Sequence, residues 1–239
     1  MAASFLAGVS KATDVDRINS AIVYGNTGTG KTWLGASADE IEDYAPVLIV
    51  DVEGSAAGVG RKYPNVDIVT ADTYEKLEII KRELLEEEHP YKTVLIDTLN
   101  VAQDRAEKFF EDLPKNRGNK FGKWSDLKDW TVQFLRDFHH AEFLAVFLAH
   151  PQVDKDENTG RITTTVKIAG SARDVAPTIP DLIGFLDFEN VGDKVERVLY
   201  VGNTDGLVTK NRFGLEQKLV KPTMVSIQTA IFEAKEAGK

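Results

Sequence analysis

A short apolar run, Ala21–Tyr24, empties into Gly25-Asn26-Thr27-Gly28-Thr29-Gly30-Lys31-Thr32, and a helical pattern begins at Lys31. The spacing Gly-x4-Gly-Lys-Thr is that of a phosphate-binding loop, and that loop works only between a strand and a helix. Its glycines let the backbone close into a nest of N–H groups, to which the helix adds the positive end of its dipole. Lys31 is then expected to reach the β- and γ-phosphates, and the Thr32 hydroxyl to face magnesium. In a chain of 239 residues with ordinary glycine usage, a chance match is roughly a one-in-a-hundred event. The flanking strand and helix make it rarer still. The expected ligand is ATP with Mg2+.

The rest of the chain suits such a loop. Pro46–Val52, Val66–Thr70, Thr93–Asp97 and Phe143–His150 are apolar runs rich in β-branched residues. Continuous runs of this kind belong to strands buried on both faces, as in a parallel sheet. Helical patterns lie between them: from Lys31, over about Tyr74–Glu88, over Val101–Asp112, and over Trp124–His139. The second carries Leu77, Ile80, Leu84 and Leu85 on one face, with Asp72 or Thr73 as N-cap. This alternation predicts a doubly wound α/β fold, a mostly parallel sheet flanked by helices. Past Pro151 the pattern changes. Val153–Ile168 reads as a β-hairpin turning at Asp156–Gly160. Leu182–Phe188, Val195–Gly202 and Gly206–Lys210 read as strands that extend the same sheet in antiparallel fashion. No linker, repeat or low-complexity tract interrupts the chain, which predicts one domain: an N-terminal segment 1–17, a core 18–214 and a tail 215–239.

Composition sets limits on function. The net charge of −9 argues against a surface built to coat DNA, though a basic loop facing a channel is compatible with it. The absence of cysteine removes disulfides, thiolate zinc sites and a cysteine nucleophile. No apolar run has the length of a membrane span. Met1–Val9 lacks a basic flank and is followed by Lys11, Asp14 and Asp16, so it does not read as a signal peptide. The cytoplasm is the default expectation.

Candidate catalytic groups sit at strand ends. Asp97 closes the strand TVLID and is placed to hold magnesium. Residue 98 is threonine, so this strand does not end in an Asp-Glu pair, which disfavours the AAA+ arrangement. The segment Asp51-Val-Glu53-Gly54 follows the strand PVLIV instead. Glu53 is the expected base that orients the attacking water, with Asp51 as rival, because alternation puts both on the same side. His150 closes FLAVFLAH and is either a γ-phosphate sensor or a strand-capping histidine.

The set GNTGTGKT, IVDVEG, VLIDTLN and FLAH, in that order, resembles the RecA-like ATPase core over Ile18–Gly214. Lys210-Asn-Arg212-Phe-Gly214 is similar to the KNRFG motif of bacterial RadA, and Lys-x-Arg signatures also occur in DnaB-type helicases. The resemblance implies that Lys210 and Arg212 enter a neighbour's nucleotide site, and hence a homo-oligomer, ring or filament. RadA's zinc finger and protease-like domain have no counterpart here. A bare core of this size most resembles phage-encoded ATPases of single-strand annealing and recombination, which implies single-stranded DNA as partner, alongside a single-strand-binding protein. By position, Pro114–Trp124 is the candidate DNA loop: Lys115, Arg117, Lys120 and Lys123 with no acidic residue among them, interleaved with Phe121 and Trp124. The second segment, Gln152–Arg173, is mixed in charge. Alternatives are a DnaB-like hexameric translocase or helicase and a nucleotide-gated assembly protein with no DNA role. A small-molecule kinase lacks its arginine-rich lid.

Overall fold

The computed structural model describes residues 17–117, 119 and 121–237. The expected N-terminal segment, apart from Arg17, and Lys120 of the candidate DNA loop lie outside them. One large sheet runs in the order β11 (Lys218–Val220), β9 (Lys194–Tyr200), β8 (Leu182–Val191), β1 (Ser20–Tyr24), β5 (Leu144–Ala149), β4 (Thr93–Asp97), β2 (Val47–Asp51), β3 (Asp67–Thr70), with β10 (Lys210–Asn211) also paired to β8. From β8 to β3 every pairing is parallel. β9, β10 and β11 join antiparallel. The expected mostly parallel sheet, with antiparallel strands added from the C-terminal part, is what the chain forms.

One expectation is corrected. Leu182–Phe188 does not extend the sheet antiparallel: β8 lies parallel to β1, with Ala21 opposite Leu182 and Tyr24 opposite Phe185. Two short 3-10 turns, Gly170–Asp174 and Ala176–Thr178, carry the chain back to the amino end of the sheet before β8 starts. That crossover holds no periodic helix, so sequence gave no cue for it. The hairpin β6 (Pro151–Lys155) and β7 (Ile162–Val166) forms as expected, but as a separate two-stranded sheet. Asp156 Oδ1 accepts from the backbone N–H groups of Asn158 and Thr159, which shapes its turn.

Both faces of the sheet are covered, so successive strand residues feed two cores. Ile22, Tyr24, Val94, Ile96, Ala145 and Phe147 face the helices α2 (Tyr74–Glu86), α3 (Leu99–Asp112) and α4 (Gly122–His139). Ala21, Val23, Leu95, Leu144 and Val146 face α1 (Lys31–Ala36) and α5 (Met224–Ala237). Phe134, Phe138 and Phe147 interlock as a ring cluster with centroids 4.9–6.1 Å apart. Each fully buried ring contributes roughly 1.5–3 kcal/mol. Of the two N-cap candidates for α2, Thr73 takes the role, accepting from Lys76 N–H, while Asp72 pairs with Lys76 Nζ. Met224, Ile227 and Ile231 bury α5 in the second core, and Met224 N–H donates to the buried Ser37 Oγ.

Two contacts anchor the hairpin. Thr164 exchanges backbone hydrogen bonds with Gly206 and Val208. The buried Tyr24 hydroxyl donates toward Val208 O at 2.9 Å and Thr164 O at 3.2 Å.

Candidate nucleotide site

The phosphate loop leaves the carboxyl end of β1 at the middle of the sheet. Gly25 lies so close to β8 that a Cβ there would come 2.3 Å from Leu186 O. Gly28 (φ 84°) and Gly30 (φ 88°) hold left-handed conformations that side chains disfavour. Asn26 O accepts from the backbone N–H and the hydroxyl of Thr29, and Thr27 occupies the intervening turn. Lys31 curls back over this loop and donates to Gly25 O at 2.8 Å and Asn26 O at 3.0 Å. Burial depresses its pKa, against the opposing pull of Asp97 and Glu53.

Because β4 and β2 lie two and three places from β1, their carboxyl ends bring acidic groups beside the loop. Thr32 Oγ1 donates to Asp97 Oδ2 at 2.7 Å. Asp97 is almost fully buried, and its pKa is raised, chiefly by burial, with Glu53 and Asp51 adding to the rise and Thr32 and Lys31 opposing it. A buried carboxylate joined to a hydroxyl, among further carboxylates, is a hard oxygen donor set that fits a magnesium ion.

The structure separates Asp51 from Glu53, which spacing could not do. Asp51 is consumed locally: its carboxylate accepts from the backbone N–H groups of Gly54, Ser55 and Ala56 and so shapes the turn after β2. Glu53 is exposed and makes no such bond; its Oε1 lies 3.7 Å from His150 Nε2. The expected base and the expected sensor therefore face one another beside Asp97 and Lys31.

Sequence reasoning missed three residues here. Asn100 and Gln103, both buried on α3, tie the strand ends to the hairpin. Asn100 Oδ1 accepts from His150 N–H, and its Nδ2 donates to Lys167 O. Gln103 Oε1 accepts from Ala169 N–H while its Nε2 donates to Thr131. Their signal was present: two amides among Leu99, Ala102 and Ala106 on the inward face of the helix. The third is Arg197 of β9, whose Nη1 approaches Gly30 O at 3.5 Å.

Lys210 and Arg212 lie elsewhere. β10 pairs with the first residues of β8, at the amino end of the parallel strands and opposite the phosphate loop. Lys210 Nζ donates to Thr178 O at 2.6 Å, and Arg212 pairs with Asp181 at 2.7 Å. Neither reaches its own chain's nucleotide site.

The loop between α3 and α4 needs a correction. Its window holds no acidic residue, but the fold brings some to it. Lys115 pairs with Asp126 at 2.8 Å, and Lys123 with Glu107 at 3.0 Å and Glu111 at 3.3 Å. These carboxylates sit on the flanking helices, a turn or more away in sequence. Arg117 and Phe121 stay exposed, Phe121 at 84%. Trp124 is half-exposed and rests against the backbone of Gly170, which joins this loop to the segment beyond the hairpin.

A phosphate loop on a mostly parallel sheet, with its threonine joined to a buried strand-end aspartate and Glu53 beside them, defines a P-loop ATPase. The chain belongs to the AAA-domain family, whose pattern it matches over residues 17–213. In this member the residue after Asp97 is Thr98, so the second acidic group of the site comes from the turn after β2. A search of curated proteins returns no match. Among solved structures, a KaiC-like protein of the hyperthermophilic archaeon Pyrococcus horikoshii aligns over 85% of this chain and 89% of its own, at 16% identity and a TM-score of 0.45. Among the described residues no helix is long and apolar enough to cross a membrane.

Proposed function

We propose that the chain binds ATP with Mg2+ and hydrolyses it on single-stranded DNA, in phage recombination or single-strand annealing. The observation that carries the ATPase chemistry is the convergence of Lys31, Thr32, Asp97, Glu53 and His150 at the carboxyl ends of adjacent strands. Thr32 and Asp97 would hold the magnesium ion, which supplies charge neutralisation at the phosphates. Lys31 must give up two carbonyl partners to meet a phosphate, an exchange favoured by the anion's greater charge. Glu53 orients a water and accepts its proton; His150 positions that carboxylate. Turnover of Glu53→Gln at the wild-type rate would overturn this assignment.

Support for DNA is the adjacency of two segments above the site. Trp124 packs on Gly170, and the chain leaving the hairpin is tied through Asn100 to His150. The phage setting rests on the likeness of the motifs alone. Lys210 and Arg212 suit a head-to-tail assembly, in which each meets the phosphate loop of the next subunit. The pairing of Lys115 and Lys123 with carboxylates favours a second reading, a nucleotide-gated assembly protein without a DNA role. The ATPase rate with and without single-stranded DNA, measured with the mass of the assembly, separates the two.

A further inference from the structure

The strand order gives the site a direction. β1 and its phosphate loop stand between two sets of strands. On one side, β5, β4 and β2 deliver His150, Asp97 and Glu53. On the other, β8 and β9 meet the loop with Leu186 O against Gly25 and Arg197 against Gly30. They wall a groove of about 430 Å³ that opens beside Gly28–Gly30 and is lined by Trp33, Phe188, Val195 and Arg197. Three of those side chains are unusually open for apolar groups: Trp33 is 39%, Phe188 53% and Val195 67% exposed.

Arg197 stands at the loop end of this groove. It is half-buried, opposite Phe188 in the β8–β9 ladder, and among the described residues it pairs with no carboxylate. Its neighbour Glu196 is engaged by Lys221 at 3.1 Å instead. An unpaired, partly buried guanidinium against an anion nest, followed by exposed rings, is an arrangement that a nucleotide completes.

We propose that this groove binds the nucleoside end of a purine nucleoside triphosphate, with the base against Phe188 and Arg197 at the junction of sugar and phosphates. The proposal rests on the ATPase reading and gives the bound molecule its orientation. With the γ-phosphate among Glu53, His150 and Asp97, the phosphate chain crosses the loop toward β8 and β9, and the nucleoside has this groove to enter. A purine presents a broad π face to the rings, and the guanidinium meets the phosphate next to the sugar.

The test compares ADP with inorganic tripolyphosphate, which offers phosphates and no nucleoside, by titration calorimetry on wild type, Phe188→Ala, Phe188→Tyr and Lys31→Ala. Loss of one stacking face weakens ADP about tenfold. Phe188→Ala should show that loss for ADP and none for tripolyphosphate, Phe188→Tyr should keep wild-type affinity for both, and Lys31→Ala should weaken both. Unchanged ADP affinity in Phe188→Ala, or an equal loss for the two ligands, overturns the groove assignment. If Lys31→Ala changes neither ligand, the phosphate-loop reading fails instead. Thermal melts of each variant exclude unfolding as the cause of any loss.

Discussion

The two ends of the parallel sheet hold similar ionic groups in opposite states. At the amino end the buried carboxylate is fully matched, while Lys210 rests on the carbonyls of Pro177 and Thr178. Arg212 is paired with Asp181, whose other oxygen accepts from the backbone N–H groups of Asn19 and Ser20, and Ser20 Oγ meets His139 Nδ1 at 2.8 Å. At the carboxyl end Lys31 makes do with two backbone carbonyls, while Asp97 and Glu53 crowd together with a single hydroxyl and a histidine between them. At the amino end the acidic group has its partners as folded. The other end is left with opposed charges that a triphosphate and its metal would complete. An incomplete charge set at strand ends marks a site; a complete one marks architecture.

The strongest way to break this contrast is Lys31→Ala. It should leave no measurable phosphate release while the circular dichroism spectrum stays that of wild type; turnover near the wild-type rate would remove the carboxyl end's special status. Next, Glu53→Gln should lower kcat about 10²–10⁴-fold with ATP affinity kept. Asp51→Asn should do the reverse, costing roughly 1–2 kcal/mol of stability through its weakened backbone bonds and little in rate. If the two phenotypes are exchanged, the division between the acidic residues is wrong.

At the amino end, Arg212→Ala should cost less than about 1 kcal/mol of stability, since the guanidinium is half in solvent. Under the proposed head-to-tail assembly it should still lower hydrolysis, by loss of its contact with the next subunit. Mixing it with Lys31→Ala should restore part of the activity. Mixed assemblies that form and stay inactive would show that the amino end is architecture alone.

A smaller effect concerns the DNA loop. Arg117→Ala should account for most of the change in single-strand affinity and its salt dependence, and Lys115→Ala and Lys123→Ala for little, because both lysines are already paired. Equal effects from all three would show that the ion pairs open on binding. The smallest expected effect is on stability. Asp97 has its pKa raised in the fold, so its neutral form is the better tolerated one. Its favourable contribution is present below the ordinary aspartate range and lost as pH rises through the raised value. Asp97→Asn, without metal at pH 7, should therefore melt about 2 °C higher, a gain that disappears in acid.

Much of this was legible beforehand. The phosphate loop, Asp97 and five of the six parallel strands are written in contiguous runs whose period and spacing need no tertiary information. What could not be read was anything decided by residues distant in sequence. The choice between Asp51 and Glu53 depends on the path of the turn through Gly54. The neutralisation of Lys123 depends on α3 lying beside α4. The direction of β8 depends on a crossover without a helix, and β11 is three residues long, too short to show a period.

The Tyr24 hydroxyl has a mechanical consequence. It clasps Thr164 in the hairpin and Val208 in the loop before β10, and its own residue is the last before Gly25. The hairpin is thus a lever whose pivot is bolted to the stem of the phosphate loop. A load that draws the hairpin sideways would arrive within one residue of Gly25, the glycine that presses on β8.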